Sequence, residues 1–362
     1  MTRLHDLYAT GGQSPWMDNL RRDWLNDGTL ARWVADGVRG VTSNPTIFAK
    51  AIEGEDDYDE QFSSLIRRHS VDEAYWELVV TDIVQACGLL SDVHRESGGK
   101  DGFVSLEVAP ALARDTAGTE AMARQLHDTV DRDNLLVKVP GTAEGVAAIR
   151  TLVGEGTSIN VTLIFSVERY DEVMEAYLSG LEALVAAGTT DLAHVAGVAS
   201  FFVSRVDTEV DRRLESLGRS DLAGRAAVAQ AQVAYQHFVD TFRGPRWEAL
   251  AAKGAQVQRP LWASTSTKNP AYPDLLYVDS LIGPDTVNTM PDGTLAAFAD
   301  HGTVARTLDA DPDGAAATLA ELGQAGVDMA DVSATLEDEG VASFAKSFDE
   351  LIQTLTDKAA SL

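Results

Sequence analysis

The chain has 362 residues, 45% of them hydrophobic, with 29 glycines and 11 prolines, an ordinary globular composition with room for a large core. A formal net charge of −27 excludes broad contact with nucleic acid or an anionic membrane, which both call for a basic face, and admits an anionic small substrate only where cations gather. The start "MTRLHDLYATGG" lacks a signal-peptide core, no stretch approaches bilayer length, and a single cysteine forbids an internal disulfide, so a cytoplasmic protein is expected.

Taken in chain order, strands are predicted at residues 14–17, 38–43, 102–108, 135–139, 157–163, 194–201, 259–263 and 275–279. Amphipathic segments separate them. "IVQACGLL" reads as a buried helix that makes Cys87 an inert packing residue. In "SVERYDEVMEAYLSGLEALVAAG", Ser166 is placed to cap, acidic residues fill the first turns, and Gly188 ends the pattern. Strand alternating with helix points to a parallel sheet, and eight repeats point to a (β/α)8 TIM barrel. One domain spanning 1–362 is expected, with extra helices at about 207–253 and 311–362. A doubly wound open sheet is the alternative, weakened by the absence of a GxGxxG turn.

Side-chain alternation places chemistry on that frame. In "FVSLEV", Val104, Leu106 and Val108 share one face while Ser105 and Glu107 share the other. "INVTL" repeats the pattern with Asn160 and Thr162, "VTSN" sets Thr42 beside Asn44, and "LLVKV" sets Lys138 opposite Leu135, Val137 and Val139. The aliphatic faces suit packing against helices, and the polar residues collect toward the C-terminal strand ends, where barrel enzymes carry their sites.

The set so gathered is Asp18, Asn44, Glu107, Lys138, Asn160, Thr162 and Ser200. It contains no clustered histidines for zinc; a magnesium site on Asp18 and Glu107 is a rival reading. A desolvated lysine beside two carboxylates suits Schiff-base attack on a ketone better. Each residue also has a plain structural role open to it. Lys138 could snorkel, Asp18 could cap a helix near Leu20, and Asn44 could shape the turn before Pro45.

The stretches "GVTSNPTIFAKAI", "VSLEV", "LLVKVPGT", "SINVTLIFS", "ASFFVSRVD" and "WASTSTKNP" follow one another in an order that closely resembles the transaldolase family, in its longer bacterial form. The resemblance, from about residue 14 to 279, implies a barrel acting on sugar phosphates without metal or organic cofactor. It implies that Lys138 forms the Schiff base, that Asp18 removes the C4 hydroxyl proton, and that Glu107 and Thr162 position a water for proton transfer. Thr42, Asn44, Asn160 and Ser200 would hold substrate hydroxyls, with Phe202 beside the reacting centre. Arg205 and Ser264 would bind phosphate. The second phosphate arginine of shorter relatives has no counterpart, and Lys268 is the nearest cation. The implied reaction transfers a dihydroxyacetone unit between sugar phosphates; an aldolase releasing free dihydroxyacetone is the alternative. The expected partners are sugar phosphates, not nucleic acid or membrane, and a homodimer is among the assemblies left open.

Overall fold

Eight parallel strands close on themselves in sequence order: β1 Gln13–Met17, β2 Gly40–Thr42, β3 Phe103–Glu107, β4 Leu135–Pro140, β5 Ile159–Ile164, β6 Gly197–Phe202, β7 Arg259–Ala263 and β8 Thr286–Met290. β1 pairs with both β2 and β8, which completes the ring in this computed structural model, describing residues 2–54 and 56–361. The expected (β/α)8 barrel is therefore present. Leu106, Val108, Val137, Val139, Ile159 and Val161 are all buried, the aliphatic side of each strand being covered by helices.

One strand is misplaced by the sequence reading. The apolar run at 275–279 forms a short helix, Leu276–Ser280, and the eighth strand lies further on, at "TVNTM". That segment looks too polar for a barrel strand until its partners are known. Thr286 donates to the Gly283 carbonyl, the Asn288 amide oxygen accepts from Thr265, and Thr289 shares a hydrogen bond with Thr42. Such bonds, two of them from distant parts of the chain, make polar side chains acceptable in a buried strand.

The helices Ser204–Ser216, Ala226–Thr241 and Gly244–Ala251 occupy the stretch between β6 and β7, and Pro312–Gln324 and Met329–Ser361 follow β8 and the helix Asp292–His301. The long last helix lies against the helix Pro45–Gly54. Thr46 donates to Ser347 at 2.9 Å, and Phe348 meets Tyr75 edge-on at 5.3 Å. Among the described residues, no helix is long and apolar enough to cross a membrane.

Local sequence fixes β4 firmly. After Pro140 and Gly141 the chain enters the helix Ala143–Gly154, capped by Thr142, whose hydroxyl accepts from the Gly145 N–H at 3.0 Å and donates to the Ala113 carbonyl at 2.6 Å. A side chain at 145 would place its Cβ 1.8 Å from the Pro140 carbonyl oxygen, so only glycine fits. At the opposite, N-terminal end the barrel is plugged by Trp16 and Asp101. The Asp101 carboxylate accepts from Ser14 at 2.7 Å, Trp16 at 3.1 Å, Arg39 at 2.9 Å and Arg259 at 3.1 Å. Burial opposes its ionisation, but Arg259 and Arg39 outweigh that and hold the carboxyl below its ordinary range.

Candidate active site

Ladder register sets Glu107 directly beside Lys138, and Lys138 beside Asn160. Because neighbours in a sheet share a face, the carboxylate and the amine meet: Glu107 Oε2 lies 3.0 Å from Lys138 Nζ, both side chains at most 6% exposed. The amine also donates to the Ser43 carbonyl at 2.8 Å. Lys138 does not snorkel to solvent, nor does it sit unpartnered among valines. Burial pushes the Glu107 carboxyl above its usual range, against the pull of Lys138 and with added repulsion from Asp18.

Asp18 follows β1 directly and faces the same space. It does not cap a helix; the next one, Arg22–Asn26, has Arg21 at its cap position and no side-chain cap bond. Instead the Asp18 carboxylate accepts from the Thr42 hydroxyl at 2.6 Å. Burial raises its pKa, opposed by that hydrogen bond and by the charges of Lys138 and Lys268.

A cavity of about 130 Å3 opens over these groups, lined among others by Asp18, Thr42, Asn44, Lys138, Thr162 and Ser200. Asn44 takes the local structural role foreseen for it and also lines the cavity. Its amide oxygen accepts from the Ile47 N–H at 3.0 Å, capping the helix Pro45–Gly54, while the residue still borders the cavity. Thr162 lines the cavity just before an irregularity: the β5–β6 register shifts between Val161 and Ile164, and Leu163 has φ 59°. Asn160 is completely buried beneath the cavity and is not among its lining residues. It donates to Ser105 at 3.0 Å and accepts from Ser200 at 2.7 Å, so it holds a serine that does reach the cavity. Glu107 likewise stands behind Lys138 and outside that lining, and no hydrogen bond joins it to Thr162 among the described residues.

Phe202 forms an apolar wall, 5.1 Å from Phe165 between ring centres. The Arg205 guanidinium lies 5.4 Å over the Phe202 ring and has no ion pair among the described residues, so a surface salt bridge is not its use. Ser264 borders the same corner with φ 57°, a conformation a serine adopts only under constraint, here its hydroxyl contact with Ser204 at 2.9 Å. Lys268 donates to Ser266 at 2.6 Å. Burial, then the nearby charges of Arg205 and Lys50, push its pKa down. The charged residues lining the cavity are Lys138, Arg205 and Lys268 against Asp18, a cationic pocket in a strongly acidic chain.

Sequence reasoning missed Thr289, Pro291 and Phe344, which also line the cavity. A correct eighth strand would have offered Thr289; nothing local marks Phe344, on the last helix. Among the described residues, no three His, Cys, Asp or Glu side chains gather as metal ligands. Cys87 is buried, and burial raises its thiol to about 12.

A closed parallel barrel whose strand ends converge on one polar cavity has the layout of the (β/α)8 enzymes. The profile of the transaldolase/fructose-6-phosphate aldolase family matches residues 15–355. A transaldolase of Saccharopolyspora erythraea is 51% identical over 98% of this chain and 97% of its own length. One of Thiobacillus denitrificans is 51% identical over 94% of this chain and 96% of its own, and one of Parafrankia is 50% identical over 99% and 98%. The chain belongs to the transaldolase/fructose-6-phosphate aldolase family.

Proposed function

We propose that this enzyme is a transaldolase of the pentose phosphate pathway. It moves a dihydroxyacetone unit from sedoheptulose 7-phosphate or fructose 6-phosphate to glyceraldehyde 3-phosphate or erythrose 4-phosphate. The observation that carries this reading is the buried Lys138 amine at the base of the cavity, 3.0 Å from Glu107. Its Nζ attacks the ketone carbonyl and water leaves, forming a Schiff base. Asp18 takes the C4 hydroxyl proton, the C3–C4 bond breaks, and its electrons move toward the iminium to give an enamine. The first aldose phosphate departs, the enamine attacks the second aldehyde, and hydrolysis frees Lys138.

Glu107 and Thr162 serve the proton transfers, the former from behind the amine. Thr42, Asn44 and Ser200 bind hydroxyls, with Asn160 a positioning residue that acts through Ser200. Phe202 bounds the reacting carbons, while Arg205, Ser264 and Lys268 take the phosphate. A cytoplasmic setting suits a chain whose one cysteine is buried. Assembly as a homodimer lacks a marked face among the described residues, since the large exposed apolar side chains Tyr8, Leu217 and Val239 lie on different elements. The family description includes fructose-6-phosphate aldolase, in which case free dihydroxyacetone would be released.

Borohydride reduction with fructose 6-phosphate tests the reading. The adduct is expected on Lys138, and Lys138→Ala should lose both adduct and transfer to erythrose 4-phosphate. An adduct on Lys50, Lys253 or Lys268, or a fully active Lys138→Ala enzyme, would overturn it.

A further inference from the structure

A second cavity, of about 470 Å3, adjoins the first. Both are bordered by Asp18, Asn44, Arg205, Lys268, Pro291 and Phe344, so the two form an inner and an outer compartment of one mouth. The outer compartment adds Lys50 from the helix Pro45–Gly54. Lys50 is solvent-exposed and makes no hydrogen bond or ion pair among the described residues. Its charge repels that of Lys268 and helps push the Lys268 pKa down. Arg205 and Lys268 stand at the boundary between compartments, so Lys50 approaches the same point from outside.

We propose that Lys50 is a third cation of substrate recognition, engaging the phosphate dianion of the sugar from the outer side of the mouth. This rests on the transaldolase reading and adds to it a residue that reads phosphorylation rather than carbon chemistry. The outer compartment is lined by Arg21, Lys50, Arg205 and Lys268 against Asp18 and Asp292, with Arg21 tied to Asp23, so its cations outnumber its carboxylates and the space favours an anion. A phosphate monoester supplies two negative charges and three acceptor oxygens, enough for a guanidinium and two ammonium groups together.

The test is Lys50→Met, with Lys50→Arg as the conservative partner, in the full-length enzyme. Fructose 6-phosphate, unphosphorylated fructose and inorganic phosphate as competitive inhibitor are the probes. The Met variant should raise KM for fructose 6-phosphate and Ki for inorganic phosphate about five- to tenfold, the order expected of a partly exposed cation on a phosphate. Its kcat should stay within about twofold, since the effect lies in binding. KM for fructose should not move, Arg should restore most of the loss, and added salt should shrink the difference. Unchanged KM and Ki in Lys50→Met, or an equal loss with fructose, would overturn the proposal. Borohydride trapping at Lys138 separates the two levels. A variant that traps normally yet shows no phosphate effect refutes Lys50 alone. An unaltered protein that never traps refutes the underlying transaldolase reading, and the role of Lys50 with it.

Discussion

Replacing Asp18 by asparagine separates charge from shape at the mouth of the barrel. The amide keeps an oxygen where Thr42 now donates at 2.6 Å, and the backbone bond from Asp18 N–H to the Met290 carbonyl at 2.8 Å is untouched. Exchanging a charged acceptor for a neutral one costs about 1 kcal/mol. Removing a carboxylate whose ionisation burial opposes offsets that loss. The sign follows from linkage: a carboxyl with a raised pKa stabilises the fold fully below its unfolded pKa and loses that contribution as pH rises through the folded value. At neutral pH the native charge is therefore a burden to stability, and Asp18→Asn should leave it within about 1 kcal/mol. For 362 residues that is a Tm change of about 1–2 °C. Function should respond quite differently, with carbon–carbon cleavage falling at least about a hundredfold through loss of a general base. Mass spectrometry after borohydride should find the whole six-carbon sugar on Lys138. Normal turnover by a folded Asp18→Asn enzyme would refute the assignment and shift attention to Glu107.

Further outcomes follow from Asp18, Asn160 and Asp101. On the proposed role of Asp18 as an ionised base with a raised pKa in the free enzyme, the acid limb of the kcat/KM profile should lie above the ordinary carboxylate range; a limb at or below it would exclude this base. Asn160→Leu strands the hydroxyls of Ser105 and Ser200, so denaturant unfolding should show a loss of about 2–4 kcal/mol and kcat/KM should drop about tenfold or more, while Lys138 still traps ketose. Asp101→Asn leaves Arg39 and Arg259 facing a neutral amide, which should cost about 3–5 kcal/mol with kcat per folded molecule unchanged. Asp101 has a depressed pKa, so the unaltered protein should keep this contribution above the unfolded carboxyl pKa and lose it as pH falls through the lower folded value.

Seven strands were legible, most of them because an aliphatic face is combined with a short apolar run, and the register of Glu107 against Lys138 then follows from neighbouring strands in a parallel ring. β8 was not legible. Its Asn288 and Thr289 become tolerable only through Thr265 and Thr42, which lie far away in sequence, whereas the apolar run before it serves a helix. Local pattern also left Asp18 suspended between cap and site, a question decided by where the next helix starts. The polarity of Asn160 was visible, but its depth was not: alternation tells which face a residue occupies, not whether a neighbour stands above it. Phe344 and Lys50 reach the mouth through the docking of the last helix on Pro45–Gly54, a contact with no local signature.

The sealed lower end of the barrel has a bearing on traffic. Trp16 and Asp101 are fully buried there, and the hollow beneath, bordered by Asp101 and Arg259, shares no lining residue with the upper cavity. Whatever enters must leave by the same door, past Arg205 and Lys268. On the proposed mechanism, while a three-carbon fragment stays on Lys138 the departing aldose phosphate and the arriving one share that one passage, through the outer compartment and the inner. On that reading one sugar leaves the inner cavity before the next one enters it, and excess of either aldose should slow the exchange of its rival.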